Sequence, residues 1–81
     1  MKEQTRNALN NIKFLMQASG GTMNDIVKVV IYIRDLSKFG EINVVYREYF
    51  EEGEEPARVT VQALSPIEEA DIEIEATAVI P

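Results

Sequence analysis

Arg58, in Pro56-Ala57-Arg58-Val59-Thr60-Val61, is followed fifteen positions later by Glu73, in Ile72-Glu73-Ile74-Glu75-Ala76. Each stands in a run that alternates polar and apolar residues as a β-strand does. A guanidinium offers a planar pair of donors that meets a carboxylate at two points, which an ammonium does not. A carboxylate within hydrogen-bond reach of water can orient it and take its proton. The chain has no histidine, no cysteine and no glycine-rich loop, so this cation and carboxylate are where chemistry is expected first. The same two residues on adjacent strands also read as a structural ion pair, worth about 0.2 to 1 kcal/mol. Pattern alone leaves both readings open.

The elements that must position these residues are legible from periodicity. From Lys2 to Ser19 the apolar residues Ala8, Ile12, Leu15 and Met16 recur at helical spacing, and Gly20-Gly21 supplies a stop. Ile26 to Ile33 is a nearly continuous β-branched run broken by Lys28, as expected of a central strand. Ser37 is the expected N-cap of a second helix from Lys38 to Glu51, with Phe39, Ile42, Tyr46, Tyr49 and Phe50 on its apolar side. This spacing assigns those aromatic residues to the core. Asn43, on the same helix, is a candidate supporting or interface residue. Arg58 to Leu64 and Asp71 to Ile80 complete the order helix, strand, helix, strand, strand, with Ser65-Pro66 opening the last connection.

The predicted fold is α+β, a two-layer α/β sandwich forming one domain over residues 1–81. The first strand, second helix and second strand make a β-α-β unit, so those strands should be parallel. Both helices are expected on one sheet face. The other face is assigned Lys28, Tyr32, Arg34, Arg58, Thr60, Gln62, Glu73, Glu75 and Thr77, a semi-polar and self-neutralising surface.

Composition narrows the partners. A domain of 81 residues without cysteine or histidine cannot be held by disulfides or by thiolate or imidazole zinc sites, which leaves oligomerisation as its expected reinforcement. A three-stranded sheet covered on one side points the same way, because its edges and bare face are left to a second copy. The net charge of −6 is the wrong sign for tight binding to a phosphate backbone. The start of the chain is polar and mixed, and no long apolar stretch follows, so a soluble cytoplasmic protein with no membrane partner is expected. The acidic run Glu51, Glu52, Glu54 and Glu55 around Gly53 lacks the ligand spacing of a calcium loop and reads as solvated. No metal site is assigned. Lys28 reads as a solvent-reaching lysine rather than a Schiff-base amine.

A succession of residues now carries a resemblance. Ala18-Ser19-Gly20-Gly21, Asp25-Ile26-Val27-Lys28, Ile33-Arg34-Asp35-Leu36, Phe39, Asn43, Tyr46, Tyr49-Phe50, Pro56-Ala57-Arg58 and Ile72-Glu73-Ile74-Glu75-Ala76 resemble the Rid family, also called YjgF or L-PSP. The likeness runs through nearly the whole chain. It implies a chorismate-mutase-like fold, a homotrimer with clefts between subunits, and hydrolytic deamination of reactive 2-imino acids to 2-keto acids and ammonia, without a cofactor. An enzyme of the 2-iminobutanoate/2-iminopropanoate deaminase type is the leading expectation. By position, the resemblance gives Arg58 the substrate carboxylate and Glu73 the water. Thr60 stands in a substrate-binding position where the family often has cysteine, and Asn43 in a supporting one. Relative to the family the chain is expected to be amino-terminally truncated, lacking strands that complete the cleft.

Two other function classes follow from these observations. One is a catalytically degenerate module that oligomerises or binds small carboxylates, motivated by the missing front segment. The other is the endoribonuclease or translation-inhibitor role attached to some relatives. The acidic balance argues against that role, as does the absence of basic residues interleaved with aromatics on a strand face.

Overall fold

A computed structural model describes residues 1–63 and 70–81. Helix α1 (Lys2–Ala18) leads through a 3₁₀ turn (Met23–Asp25) into β1 (Ile26–Ile33). A second 3₁₀ turn (Leu36–Lys38) runs into α2 (Phe39–Arg47), followed by β2 (Ala57–Gln62) and β3 (Ile72–Ala78). The strand order is β2-β1-β3, with β1 parallel to β2 and antiparallel to β3. The α+β two-layer architecture, the central first strand and the parallel β-α-β unit are as the sequence implies. Leu64 and the Ser65-Pro66 connection lie outside the described residues.

Both helices cover one face of the sheet. Leu9 and Met16 of α1, Ile42, Val45 and Tyr46 of α2, and Phe50 beyond it bury against Val29, Ile31, Ile33 and Ile72 in one core. The buried stripe of α1 is Thr5, Leu9 and Met16, with Ile12 half-buried, whereas Leu15 is 62% exposed and does not belong to it. Thr5 is a polar residue in that stripe. Its hydroxyl donates to the Met1 carbonyl at 2.9 Å, so its burial leaves no unsatisfied donor.

The end of α1 follows the expected Gly20-Gly21 stop. Gly21 N–H donates to the Met16 carbonyl at 2.8 Å and Gly20 N–H to that of Gln17 at 3.1 Å. Gly20 takes φ of +84°, which a side chain would strain. Thr22 then caps the next turn: its hydroxyl accepts from Asn24 N–H at 3.3 Å, and its own N–H donates to the Asp25 carboxylate at 2.8 Å.

The second helix starts and stops elsewhere than expected. Asp35, not Ser37, is the capping residue; its carboxylate accepts from Ser37 N–H at 2.9 Å and opens the 3₁₀ turn that feeds α2. An aspartate is as good a cap as a serine, and here it comes first along the chain. The helix ends at Arg47 rather than Glu51. Phe50 is buried from the turn that follows, where its ring meets Tyr46 at 4.8 Å between centroids. The turn after α2 is tied to the surface of α1 by Tyr49 Oη donating to Asn10 Oδ1 at 2.7 Å and by Arg6 Nη2 donating to Glu48 at 3.1 Å.

Register decides which side chains share a face. Val29, Ile31 and Ile33 of β1 lie beside Ala76, Ile74 and Ile72 of β3, all toward the helices. Lys28, Val30 and Tyr32 lie beside Thr77, Glu75 and Glu73 on the bare face. One extra residue at Val27 breaks the alternation near the start of β1. On the other side, Val29, Ile31 and Ile33 pair with Arg58, Thr60 and Gln62, while Val30 and Tyr32 pair with Val59 and Val61. Thus β3 presents its residues as expected and β2 presents the opposite set. Arg58, Thr60 and Gln62 are on the helix side, and Val59 and Val61 are bare.

Candidate functional site

The reversed phase of β2 changes the surroundings of Arg58. The residue before it, Ala57, enters the sheet beside Lys28, and the pairing of Arg58 with Val29 turns its side chain toward α2. There Arg58 Nη1 donates to Asn43 Oδ1 at 2.9 Å. The guanidinium carbon lies 4.6 Å from the centroid of the Tyr46 ring and 5.3 Å from that of Phe39, both within cation–π reach. Asn43 is half-buried, as are Arg58 and Thr60. Among the described residues, no carboxylate pairs with Arg58. Its partners are a neutral amide and two ring faces.

The aromatic part of this arrangement was not recognisable as such from hydropathy. Phe39, assigned to the core by its spacing, is 36% exposed and stands outside the buried cluster. Tyr46 is in the core, as expected, but its ring also underlies the guanidinium. The signal was present in the numbering: residues 39, 43 and 46 follow an i, i+4, i+7 stripe on α2, the face that a parallel neighbour strand meets. The Tyr46 hydroxyl is buried and has no hydrogen-bond partner among the described residues. Burial raises its pKa above the ordinary tyrosine value; the Arg58 charge opposes that rise and Glu55 adds to it.

Glu73 is placed differently. It pairs with Tyr32 on the bare face and is exposed. The expectation that Arg58 and Glu73 occupy adjacent strands and one face is therefore corrected. The central strand β1 lies between them, and they project to opposite sides. With neighbouring strands about 4.8 Å apart and a rise near 3.3 Å per residue, their Cα atoms are about 14 Å apart. A cross-strand ion pair between them is excluded by that geometry. The bare face around Glu73 holds Tyr32, whose hydroxyl meets Glu75 Oε2 at 3.4 Å. The Glu75 charge is the main reason the Tyr32 pKa is raised.

The structure thus brings Arg58, Thr60 and Asn43 to one side and leaves Glu73 on the other. Thr60 is two residues along β2 from Arg58, facing the same way and paired with Ile31. Arg34, assigned to the bare face, follows β1 and joins it to the start of β3: its N–H donates to the Asp71 carbonyl at 3.0 Å, and its side chain lies 3.9 Å from the Asp71 carboxylate. A cavity of about 260 Å³ there is lined by Met1, Arg34, Asp35, Lys38 and Asp71, and includes none of the sequence-predicted site residues. Among the described residues, no helix is long and apolar enough to cross a membrane.

Comparison with known proteins places this geometry in a family. The model of the family described as endoribonuclease L-PSP matches residues 1–80. A RutC family protein of Pyrococcus horikoshii is 45% identical over 78 residues, covering 96% of this chain and 61% of the relative. A 2-iminobutanoate/2-iminopropanoate deaminase of Dermatophagoides farinae is 39% identical over 80 residues, covering 99% of this chain and 62% of the relative. Among solved structures, RidA from an Antarctic Psychrobacter species superimposes with a TM-score of 0.92 at 35% identity, over 99% of this chain and 64% of that one. The chain spans less than two thirds of the length of each of these relatives. With a matching family model along nearly its full length and the same fold in solved members, this chain belongs to the Rid family, the endoribonuclease L-PSP family of the matching model.

Proposed function

We propose that this chain contributes the carboxylate-binding and water-orienting groups of a 2-imino acid deaminase. The observation that carries this reading is Arg58. A half-buried guanidinium held by Asn43 and two rings, with no carboxylate partner among the described residues, is a cation prepared for an anionic ligand. The name of the Dermatophagoides relative, a 2-iminobutanoate/2-iminopropanoate deaminase, supplies the substrate class. In this reading Arg58 binds the substrate carboxylate in the plane of its remaining N–H groups. Thr60, two residues on, lines the same wall.

The reaction then runs without a cofactor. Water adds to the C=N carbon while Glu73 accepts its proton, giving a tetrahedral amino alcohol. Starting from the protonated imine, that proton then passes from Glu73 to nitrogen, the C–N bond breaks with ammonia leaving, and the hydroxyl gives its proton back to Glu73 as it becomes the carbonyl of the 2-keto acid. Because Arg58 and Glu73 of one chain face opposite ways about 14 Å apart at strand spacing, they serve one small substrate only if Arg58 of one copy meets Glu73 of another. The proposed site is therefore a cleft between copies, consistent with a homotrimer.

Subunit complementation tests this directly. Arg58→Ala and Glu73→Gln should each abolish most hydrolysis of 2-iminobutanoate generated in situ. Dissociating and reassembling the two variants together should restore part of it, because some clefts regain both groups. No recovery in assembled mixtures would refute the shared site. The separation of the two groups also favours a second reading, carboxylate binding without turnover. It predicts that 2-ketobutanoate binds with Arg58-dependent heat while the imine decays at its uncatalysed rate.

A further inference from the structure

We infer that Phe39 and Tyr46 are positioning residues that clasp the Arg58 guanidinium from two sides and set the plane in which it meets a carboxylate. The inference rests on the carboxylate-binding reading of Arg58 and adds to it what holds the group in place. The three residues 39, 43 and 46 lie on one stripe of α2. Seven residues of helix advance about 10.5 Å. Both rings nevertheless lie within cation–π reach of the guanidinium carbon, at 4.6 Å for Tyr46 and 5.3 Å for Phe39. The guanidinium thus contacts a ring from each end of the stripe and, through one Nη1 hydrogen at 2.9 Å, Asn43, which lies between them in sequence.

The consequences are chemical. Ring faces are electron-rich and attract the cation without competing for its in-plane donors. The amide consumes one of five N–H groups. What remains is an edge of coplanar donors suited to one planar carboxylate. A lysine in the same clasp would keep the charge and lose the edge. Tyr46 is itself fixed, since it is 2% exposed and its ring leans on Phe50 at 4.8 Å. Phe39 is the adjustable member: it is 36% exposed and contributes nothing to the buried cluster. A large apolar residue left at the surface, outside the core and over a guanidinium, is placed for that contact rather than for packing.

Phe39 is also the residue that can be changed without unfolding the chain. Phe39→Leu keeps apolar bulk and removes the ring, and Phe39→Tyr keeps the ring. Binding of 2-ketobutanoate by titration calorimetry should weaken about three- to tenfold in Phe39→Leu, the range for one partly exposed cation–π contact, and Phe39→Tyr should retain most of the affinity. In turnover the Leu variant should raise KM and leave kcat nearly unchanged, with both variants melting as the parent does. Equal affinity in the parent and Phe39→Leu, or equal loss in Leu and Tyr, would overturn the clasp. If the parent itself binds no 2-ketobutanoate, the carboxylate-binding reading fails and the clasp is judged on the ligand-free protein. There the ¹⁵N-edited signal of Arg58 Nε–H should be shifted upfield by the rings and relax toward its ordinary position in Phe39→Leu. An unshifted parent signal would refute it.

Discussion

The two faces of the sheet carry the two proposed functional groups under opposite conditions. On the helix side, Arg58 is fastened by an amide and two rings against a core that contains Ile31, Ile33, Ile42 and Val45, all fully buried. On the bare side, Glu73 stands exposed beside Tyr32 and Glu75, among Val59 at 52% exposure and Val61 at 39%. On the helix side, Asn43, Phe39 and Tyr46 of the same chain hold Arg58. The bare side combines carboxylates with apolar residues that one chain leaves uncovered, which agrees with the proposed cleft between copies. A cation can be held ready by neutral groups that one chain supplies. Glu73 has no such support within one chain, and its proposed role in orienting water rests on the proposed second copy.

This contrast can be broken first on a single strand. Ile31→Ala, on the helix side, should lose about 2–5 kcal/mol in urea unfolding, while Val30→Ala, its neighbour on the bare side, should lose about half as much or less in the dissociated chain. Equal losses would mean that the bare face is packed within one chain. Next, Glu73→Gln should lower kcat for imine hydrolysis by about 10²-fold or more with little change in unfolding midpoint. A stability loss of the same order as that of Ile31→Ala would make Glu73 structural.

Arg58→Lys should weaken 2-ketobutanoate binding by about 10- to 100-fold, as expected when a charge-assisted two-point contact is reduced to a point charge. Parent-like affinity in this variant would show that the fork is not used. Val61→Glu should leave secondary structure intact and lower the sedimentation mass at micromolar concentration, because it puts a charge in place of an exposed apolar residue on the bare face, beside Tyr32. An unchanged mass would remove that face from any interface.

The smallest effect is expected at the entrance to α2. Hydrogen bonds from Ser37 hold the Asp35 carboxyl below its ordinary value, aided by Lys38. A depressed carboxyl pKa contributes stability above the ordinary value, and that contribution is lost as pH falls through the folded value. The melting temperatures of the parent and Asp35→Asn should therefore differ most above about pH 4 and converge below it. A constant difference down to pH 2 would show that Asp35 acts through shape alone.

Much of the fold was legible because its signals are local. The Gly20-Gly21 stop, the β-branched run of β1 and the alternation of β3 each depend on neighbours a few residues away, and each took its expected form. The boundaries of α2 were less accessible, since Asp35 and Ser37 are both good caps and only the backbone path chooses between them. Phe39 was misassigned because helical spacing identifies a stripe without saying whether a core or a cation lies beneath it.

What the sequence determined by itself is the family, the element order, the parallel pairing of β1 with β2 and the residue types proposed to bind and hydrolyse an imino acid. What only the tertiary structure decided is the face on which each stands. Alternation in Arg58-Val59-Thr60-Val61 defines two sets of side chains, but a shift of one residue exchanges them. The hydrophobic rule would send the valines inward. The structure sends Arg58 and Thr60 to the helix side, where Asn43, Phe39 and Tyr46 receive the arginine, and leaves Val59 and Val61 bare. The physical reason is that α2 meets β2 with an amide and ring faces, so the core side of β2 is partly polar, and its outer side is apolar where, among the described residues, nothing covers it.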